Sequence, residues 1–235
     1  MISREHLEAL LGRLGTMEPR AKEELLAGLV TEILARCAAD GLFWLKFVKT
    51  RDEADTLNSV KLFPLEKDYT QKLWNDYLAP EPAIVAKSRQ MIVSWETAAF
   101  CVWTARFKPH SAVYWQTKAW PDAVSMICMP SGGFSGRCQF IEDNLPDWMR
   151  QPYKASEGRM QYPHNGSMIQ ALSGGSDQAR GKTATLMVED EFAFQEDQEG
   201  VYTAIAPLLQ KTSKLIVIST PNGTAHTFAT LWHGR

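Results

Sequence analysis

Short apolar runs alternate with amphipathic stretches along most of the chain, a pattern typical of buried strands separated by helices. The runs are rich in β-branched and aromatic residues and cover residues 82–86, 111–116, 168–172, 183–188 and 214–219. Strands separated by helical segments usually pair in parallel, with right-handed crossovers. We therefore predict an α/β fold in which a central, mainly parallel sheet is flanked by helices.

Helical periodicity dominates the N-terminal part of the chain. Apolar residues repeat at helical spacing over residues 3–39, with charged residues on the opposite face. Asp40 and Gly41 then supply a signal for the end of a helix. We predict an N-terminal helical subdomain or arm over residues 1–58 and one core domain over residues 59–235.

The run at residues 183–188 ends abruptly in Glu189, Asp190 and Glu191. Adjacent carboxylates cannot lie in the interior of a buried strand, because desolvating them without partners costs several kcal/mol each. They must follow its carboxyl end, where open α/β sheets bind ligands. Apolar residues followed by Asp-Glu form a Walker B arrangement, in which Asp190 would hold Mg²⁺ and Glu191 would polarise a water. An acidic turn that caps the next helix is the alternative.

A candidate phosphate loop lies between the run at 82–86 and a helix that extends to about residue 106. Compared with the pattern G-x-x-x-x-G-K-[ST], Ser94 fills the last position and would bind Mg²⁺. Lys87 and Ile92 replace the glycines, and Val93 replaces the lysine. Lys87 or Arg89 would have to supply the cation, so the pattern alone does not specify a nucleotide site. The candidate loop residues are Lys87, Ser88, Arg89, Gln90, Met91, Ile92, Val93 and Ser94.

Polar residues elsewhere fit the same site less specifically. Gln71, in an amphipathic helix before the loop, could hydrogen-bond an adenine edge, although a surface glutamine is the plainer interpretation. Thr220 and Asn222 follow the last strand and would sense a γ-phosphate if that strand neighbours the acids; a simple Pro-Asn-Gly turn is the alternative. Arg180, on a glycine-flanked loop, could reach a phosphate of its own or a neighbouring subunit, or form a structural salt bridge.

Composition limits the function classes. With 235 residues, of which 45% are hydrophobic, the chain can bury one substantial core. A formal net charge of −2 gives no global basis for nucleic-acid binding, so DNA contacts must be local or made by a ring of subunits. Four cysteines without a CxxC pair indicate free thiols. Neither a signal peptide nor an apolar run of the ~20 residues that span a bilayer is present. We expect a soluble intracellular protein without membrane contact.

Taken together, these motifs resemble the ATPase domain of the large terminase subunit, the DNA-packaging motor of tailed bacteriophages. The resemblance covers about residues 63–232, and the loop that starts at Lys87 is one part of it. Some terminase phosphate loops also carry their lysine at the loop's start. The other segments that carry the resemblance are Asp190–Phe194, Thr220–Gly223 with His226 and Trp232, and Ala179–Gly181.

The resemblance implies a RecA-like P-loop NTPase fold, with ATP and Mg²⁺ as cofactors. It assigns Mg²⁺ to Ser94 and Asp190, water activation to Glu191 and phosphate binding to Lys87. The remaining implied roles are adenine recognition by Gln71, coupling of hydrolysis to movement by residues 220–222, and an arginine finger supplied in trans by Arg180, with Arg137 as second choice.

The family also implies partners. They are a homo-oligomeric ring on the capsid portal, double-stranded DNA, a small terminase subunit and, in the full-length protein, a C-terminal nuclease domain, which we expect this chain to lack. The expected setting is the host cytoplasm, and we expect no nuclease activity from the chain. Two alternatives are a RecA-like helicase or other nucleic-acid-dependent ATPase, and an assembly module with a degenerate nucleotide site. The intact Asp190 and Glu191 argue against the second.

Overall fold

The structure, a computed structural model, describes residues 17–52, 55, 57–88, 91–129, 135–178 and 182–234. Its helices are α1 (Pro19–Ala39), α2 (Gly41–Leu45), α3 (Asp68–Leu78), α4 (Val93–Phe107), α5 (Trp120–Ile127), α6 (Arg137–Asp143), α7 (Gln198–Ile205) and α8 (Thr227–His233). Its strands are β1 (Lys49–Arg51), β2 (Val60–Leu62), β3 (Ala83–Ala86), β4 (Ala112–Gln116), β5 (Lys154–Ser156), β6 (Arg159–Tyr162), β7 (Ser167–Leu172), β8 (Ala184–Asp190) and β9 (Leu209–Ser219). Short 3-10 turns cover Asp147–Met149, Ser176–Gln178, Phe192–Phe194 and Ala206–Leu208.

A seven-stranded sheet organises the molecule, in the order β3-β9-β8-β4-β7-β6-β5. The strands from β3 to β7 in this order pair in parallel, and β6 and β5 extend the sheet in antiparallel fashion. The predicted α/β class, with a central and mainly parallel sheet between helices, is confirmed. β9 lies between β3 and β8 and is parallel to both. The carboxyl ends of β3 and β8 therefore lie at the same edge of the sheet.

Side-chain alternation along the strands divides the core into two layers. Val188 of β8 packs in the larger layer with the residues of α4, α5 and α6. Met187, its neighbour, packs in the smaller layer with residues of α7 and α8. In the larger layer, α4 is buried along nearly its whole length. A helix that is apolar on all sides needs such a position, between the sheet and other helices.

The structure departs from the sequence-based prediction at one edge of the sheet. All the predicted strands are present, but the hairpin of β5 and β6 was not anticipated. The three residues of β5 are exposed, so no apolar run marks the strand. The ribbon of β1 and β2 was missed because β2 is likewise exposed along its length. β9 also begins earlier than predicted, at Leu209.

The N-terminal helical prediction is confirmed in part. Residues 1–16 lie outside the described residues, and α1 accounts for the second predicted helix. The carboxyl end of α1 packs on the core, where Trp103 Nε1 of α4 donates to the Cys37 carbonyl at 2.8 Å. The division into residues 1–58 and 59–235 remains a prediction.

The four cysteines are free and buried, as the sequence indicates. Burial raises the pKa of Cys37 and of Cys128 to about 11 each, so these thiols stay protonated at neutral pH. Within the described ranges, no helix combines the length and apolar character that a membrane span requires.

Lys214 of β9 fixes α3 against the sheet. Its buried ammonium donates to the carbonyl oxygens of Asp76 at 2.5 Å and Ala79 at 2.7 Å, and also to that of Glu81. Carbonyls at a helix carboxyl end lack helical partners and attract cations. The ammonium therefore joins the end of α3 and the residues that follow it to β9.

We expect Lys214→Met to lower the free energy of unfolding by roughly 1–3 kcal/mol, because it removes the hydrogen bonds of a charged group to three carbonyls. Urea denaturation would measure this. Lys72→Met, at an exposed position of the same helix, is the control and should change stability by less than about 0.5 kcal/mol. Equal urea midpoints for Lys214→Met and the parent would show that the ammonium contributes no net stability.

Candidate active site

The candidate site lies where β3 and β8 end at one edge of the sheet, next to the first turn of α4. Alternation along β8 sends the side chain of Asp190 into the layer of α4, the same layer as Val188. Ser94, in the first turn of α4, belongs to that layer too. The two predicted Mg²⁺ ligands are therefore placed on the same face of the sheet.

Glu189 faces the opposite layer and is not part of this site. It is fully buried, and Gln195 Nε2 donates to its Oε2 at 2.8 Å. Burial raises the pKa of Glu189 to about 8, which favours the neutral acid. Of the acids at the end of β8, only Asp190 and Glu191 remain for chemistry on the α4 side.

Glu191 is held by groups from two other strand ends. Lys87 Nζ lies 2.8 Å from Glu191 Oε1, and the backbone N–H of Thr220 lies 3.5 Å from Oε2. The backbone of Lys87 in turn donates to the Ser219 carbonyl at 3.0 Å. Lys87 is 12% exposed and Glu191 37%, so the ion pair borders solvent. The Lys87 ammonium thus compensates the negative charge of Glu191. A paired acid is also compatible with a degenerate nucleotide site, so the presence of Glu191 argues less strongly against the assembly module than the sequence analysis assumed.

Asp190 combines burial with a mixed charge environment. Burial raises the pKa of its carboxyl to about 6, the Lys87 ammonium opposes this rise, and the Glu191 carboxylate adds to it. Asp190 Oδ1 also accepts from the Glu191 backbone N–H at 3.0 Å. A divalent cation would favour the ionised form of this carboxyl.

Mg²⁺ fits these residues. Among the described residues, no three His, Cys, Asp or Glu side chains form a complete metal cage. Mg²⁺ does not need one, because it commonly binds through one or two protein ligands, waters and substrate phosphates. The carboxylate of Asp190 and the hydroxyl of Ser94 are oxygen ligands of the right kind.

The candidate phosphate loop contains a strained residue where the common pattern has glycine. Ile92 has φ 50° and ψ 8°, in the left-handed region that β-branched residues avoid. The backbone thus adopts the geometry for which glycine is usually selected, with an isoleucine in place. Val93 is buried, Met91 packs against the core and Ser88 is exposed. Arg89 and Gln90 lie outside the described residues.

The segment after β9 contacts the turn after Glu191. Asn222 Nδ2 donates to the Ala193 carbonyl at 3.2 Å, and the Ala193 N–H donates to Ser219 Oγ at 3.0 Å. Since β9 pairs with β8, the expectation that these strands are neighbours is confirmed. Thr220 contacts the carboxylate of Glu191 through its backbone N–H, whereas the side chain of Asn222 contacts the backbone of the adjacent turn.

Gln71 and Arg180 remain predictions. Gln71 is exposed near the start of α3, and no side-chain hydrogen bond links it to any other described residue. Arg180 lies outside the described residues, so its predicted role as an arginine finger is untested. Arg137, the second choice, is the first residue of α6 and lies half-buried over the ring of Trp95.

Sequence reasoning missed Gln116 at the end of β4. Its Nε2 donates to the carbonyls of Ser173 and Gly175, each at 2.8 Å, and so ties the loop after β7 to the strand beside the acids. A polar residue at the carboxyl end of an apolar run was the available signal. It is the same signal that identified the acids.

The structure can be compared with known proteins. No protein-family model matches the sequence, and no curated protein matches it. Among solved structures, the large terminase of bacteriophage HK97 aligns with a TM-score of 0.54 and 15% identity, over 73% of this chain and 36% of that one. The large terminase of a thermophilic bacteriophage, in complex with ADP, aligns with a TM-score of 0.50 and 12% identity, over 69% and 41%. The chain has the fold of a large terminase ATPase domain.

A third large terminase structure, the ATPase domain from Thermus phage P74-26, aligns at 14% identity and a TM-score of 0.48, over 69% of this chain and 68% of that one. The alignments with the HK97 terminase and the ADP-bound terminase confirm the fold that the resemblance implied. The chain spans little more than a third of the HK97 terminase.

The strain at Ile92 can be measured with two truncations. Ile92→Ala and Ile92→Gly both remove the side-chain packing, but only glycine also relieves the left-handed backbone, by about 1 kcal/mol. We expect the glycine variant to be the more stable of the two, the reverse of the usual order. Thermal or urea unfolding gives the comparison. If Ile92→Ala is the more stable variant, Ile92 is not left-handed in solution.

Glu96, in the first turn of α4, is a second residue that sequence reasoning missed. It is fully buried, and neither carboxyl oxygen has a hydrogen bond of standard geometry to any described residue. Burial raises the pKa of Glu96 to about 9, and the nearby Thr70 hydroxyl only partly opposes this rise. Because the folded state holds this proton more tightly than the unfolded state, stability should fall as the pH rises from about 4.5 towards 9.

We expect Glu96→Gln, a neutral side chain of the same shape, to be more stable than the parent at pH 8, by on the order of 2 kcal/mol. The difference should disappear at pH values well below 4.5, where the parent carboxyl is protonated in both states. Denaturant unfolding across this pH range provides the measurement, with Glu66→Gln at an exposed position as control. A difference that does not change with pH would rule out a raised pKa for Glu96.

Proposed function

We propose that this chain is the ATPase motor domain of a viral large terminase, which hydrolyses ATP with Mg²⁺ to drive double-stranded DNA into a procapsid. The observation that carries the proposal is the Lys87–Glu191 ion pair beside the buried Asp190, at the carboxyl edge of the sheet. The fold, shared with large terminase ATPase domains, supports it. The ADP bound in the terminase of the thermophilic bacteriophage supports nucleotide as the ligand.

The proposed chemistry starts from the ion pair. Lys87 can turn its ammonium from Glu191 towards a phosphate oxygen, and this exchange would free the Glu191 carboxylate to orient a water and take its proton. Phosphate binding and activation of the base are therefore coupled by one ammonium group. The free N–H groups in the first turn of α4 provide further donors to the phosphates.

Asp190 and Ser94 are the proposed ligands of Mg²⁺. When bound, the ion would neutralise charge on the phosphate oxygens. Asp190 suits this role because it lies on the α4 side of the sheet and is oriented by the Glu191 N–H. Gln71, exposed on α3, is the proposed adenine contact, and Ser88, Arg89, Gln90, Met91, Ile92 and Val93 complete the proposed loop around the phosphates.

Thr220 and Asn222 are proposed to couple hydrolysis to movement. The Thr220 N–H contacts Glu191 directly, and Asn222 joins the same segment to the turn after Glu191. A shift of the Glu191 side chain would therefore change the contacts of the segment that leads into α8. Arg180 is the proposed arginine finger, supplied to the neighbouring subunit of a ring.

The proposed assembly is a homo-oligomeric ring on the capsid portal, in the host cytoplasm. Its proposed partners are double-stranded DNA, a small terminase subunit and a C-terminal nuclease domain in the full-length protein. The greater length of the HK97 terminase and of the ADP-bound terminase is in keeping with a further domain.

Mg²⁺-dependent ATP hydrolysis tests the catalytic part of the proposal. We expect Glu191→Gln to reduce kcat by about 10²–10⁴-fold, the usual contribution of a general base. Glu189→Gln is the matched control. It makes the same chemical change two residues before Glu191, but in the opposite layer of the core. It should retain most of the activity. Equal losses in both variants would contradict the assignment of Glu191.

Dependence on protein concentration and DNA tests the motor part. A ring with a finger in trans predicts that activity rises faster than linearly with concentration and that double-stranded DNA stimulates it. Stimulation by single-stranded DNA alone would favour the helicase alternative. A parent protein that neither binds nor hydrolyses ATP would favour the assembly module.

A further inference from the structure

A cleft of about 180 Å³ lies at the opposite end of β8 from the candidate active site. It is bordered by the end of α3, the second half of α4, the beginning of β8 and the part of β9 around Lys214. Leu186, which lines the cleft, precedes Asp190 by four residues of the same strand, a separation of about 13 Å. The cleft is therefore separate from the proposed nucleotide site.

One face of α4 forms a wall of the cleft. Phe100, Thr104 and Lys108 line it at intervals of four residues, so their side chains lie on the same side of the helix. Phe100 and Thr104 are each 2% exposed, whereas Lys108, directly after the helix, is exposed. The wall thus places an aromatic ring and a hydroxyl in the interior and an ammonium group at the surface.

The hydroxyl of Thr104 lacks a partner. Its Oγ1 is buried and makes no hydrogen bond to any residue that the structure describes. Threonine hydroxyls inside a helix often bond to the carbonyl four residues earlier, as Thr97 does to Val93 at 2.9 Å. A buried hydroxyl without a partner costs free energy, which a ligand that accepts its hydrogen bond would recover.

The charge of the cleft is positive. Of the described residues that line it, two are lysines and none is Asp or Glu. The Lys108 ammonium lies over the ring of Trp103, 5.1 Å from its centre, and an aromatic face holds a cation without neutralising it. Partial desolvation by neighbouring atoms lowers the pKa of Lys108, and no described carboxylate opposes this shift. An anion at the mouth of the cleft would meet an ammonium that has no acidic partner among the described residues.

The size of the cleft limits the ligand to a small molecule. An apolar protein cavity of about 150 Å³ holds benzene, so about 180 Å³ gives room for one ring and a carboxyl group. Phe100 and Leu186 supply apolar surface for such a ring. The interior therefore suits an apolar body, and the mouth suits a negative charge.

We propose that this cleft binds a small carboxylic acid with an aromatic or branched aliphatic body. The body packs against Phe100 and Leu186, while the carboxylate accepts a hydrogen bond from the Thr104 hydroxyl and faces the Lys108 ammonium. This ligand site is additional to the proposed nucleotide site. It depends on neither nucleotide binding nor ATP hydrolysis.

A ¹H–¹⁵N NMR titration with sodium benzoate tests the proposal. The amide signals of Thr104, Lys108 and Leu186 should shift in a saturable way, with a Kd on the order of ten millimolar or below, in keeping with a ligand of few atoms. Benzyl alcohol, a neutral molecule of similar shape, should shift the same signals but bind roughly 5-fold more weakly. AMP-PNP with Mg²⁺ should not displace benzoate, because the two sites lie at opposite ends of β8.

Substitutions separate the charge from the hydroxyl. Lys108→Met should weaken benzoate binding by about 5-fold to 20-fold and leave benzyl alcohol binding nearly unchanged. Thr104→Val, which keeps the shape of the side chain, should weaken benzoate binding by about 3-fold to 10-fold. Lys46→Met is the matched control, because Lys46 is also exposed and lies over an aromatic ring, that of Phe43, outside the cleft. It should bind benzoate as the parent does, and thermal unfolding shows whether each variant is folded.

Four results would overturn the inference. They are the absence of saturable shifts, shifts confined to residues outside the cleft, equal affinity of the parent for benzoate and benzyl alcohol, and unchanged benzoate affinity in folded Lys108→Met. Displacement of benzoate by AMP-PNP would also overturn it, since the two ligands would then share a site. A parent protein that binds benzoate in the cleft but does not bind AMP-PNP would contradict the proposed function and leave this inference standing.

Discussion

Successive side chains of a β-strand point to opposite faces of the sheet, and this constraint decides what each acid at the end of β8 can do. Glu189 is sent to the layer of α7, where burial favours its neutral form and the hydrogen bond from Gln195 only partly opposes this. Asp190 is sent to the layer of α4, beside Lys87. Glu191 then leaves the strand in a left-handed conformation and turns back towards the same lysine. Three neighbouring carboxyl groups thereby acquire three different environments.

The sheet could be predicted from the sequence wherever its strands are buried on both faces. The runs at 82–86 and 214–219 are apolar through most of their length, so their composition alone indicated strands. The hairpin of β5 and β6 could not be predicted in this way, because an edge strand such as Lys154–Ser156 is exposed and polar. The order of the strands in the sheet could not be predicted either, since it depends on pairings between residues that are far apart in the chain.

The candidate site shows the same limit. The sequence placed Lys87, Asp190 and Glu191 at the ends of strands, and the structure brings them together there. It could not show that Lys87 contacts Glu191, because that contact joins residues 104 positions apart through the order β3-β9-β8. Nor could it show Gln116 or Glu96 as buried polar groups. Each occupies an otherwise apolar segment, and only tertiary packing reveals which neighbours it has.

Both strained residues of the site are non-glycine residues with φ 50°, Ile92 beside the loop and Glu191 beside the strand. Left-handed backbone costs a non-glycine residue about 1–2 kcal/mol, so surrounding contacts must hold it in place. For Glu191, the contacts with Lys87 and the Thr220 N–H serve this purpose. The strain and the ion pair therefore belong to one arrangement, and neither is expected to persist without the other.

The position of β9 has a consequence for biosynthesis. This strand is the last of the sheet to leave the ribosome, yet it lies between β3 and β8. Until residues 209–219 have been made, the strands that carry Lys87 and Glu191 have no common neighbour to align them. The two halves of the candidate site therefore come together only after β9 has been synthesised.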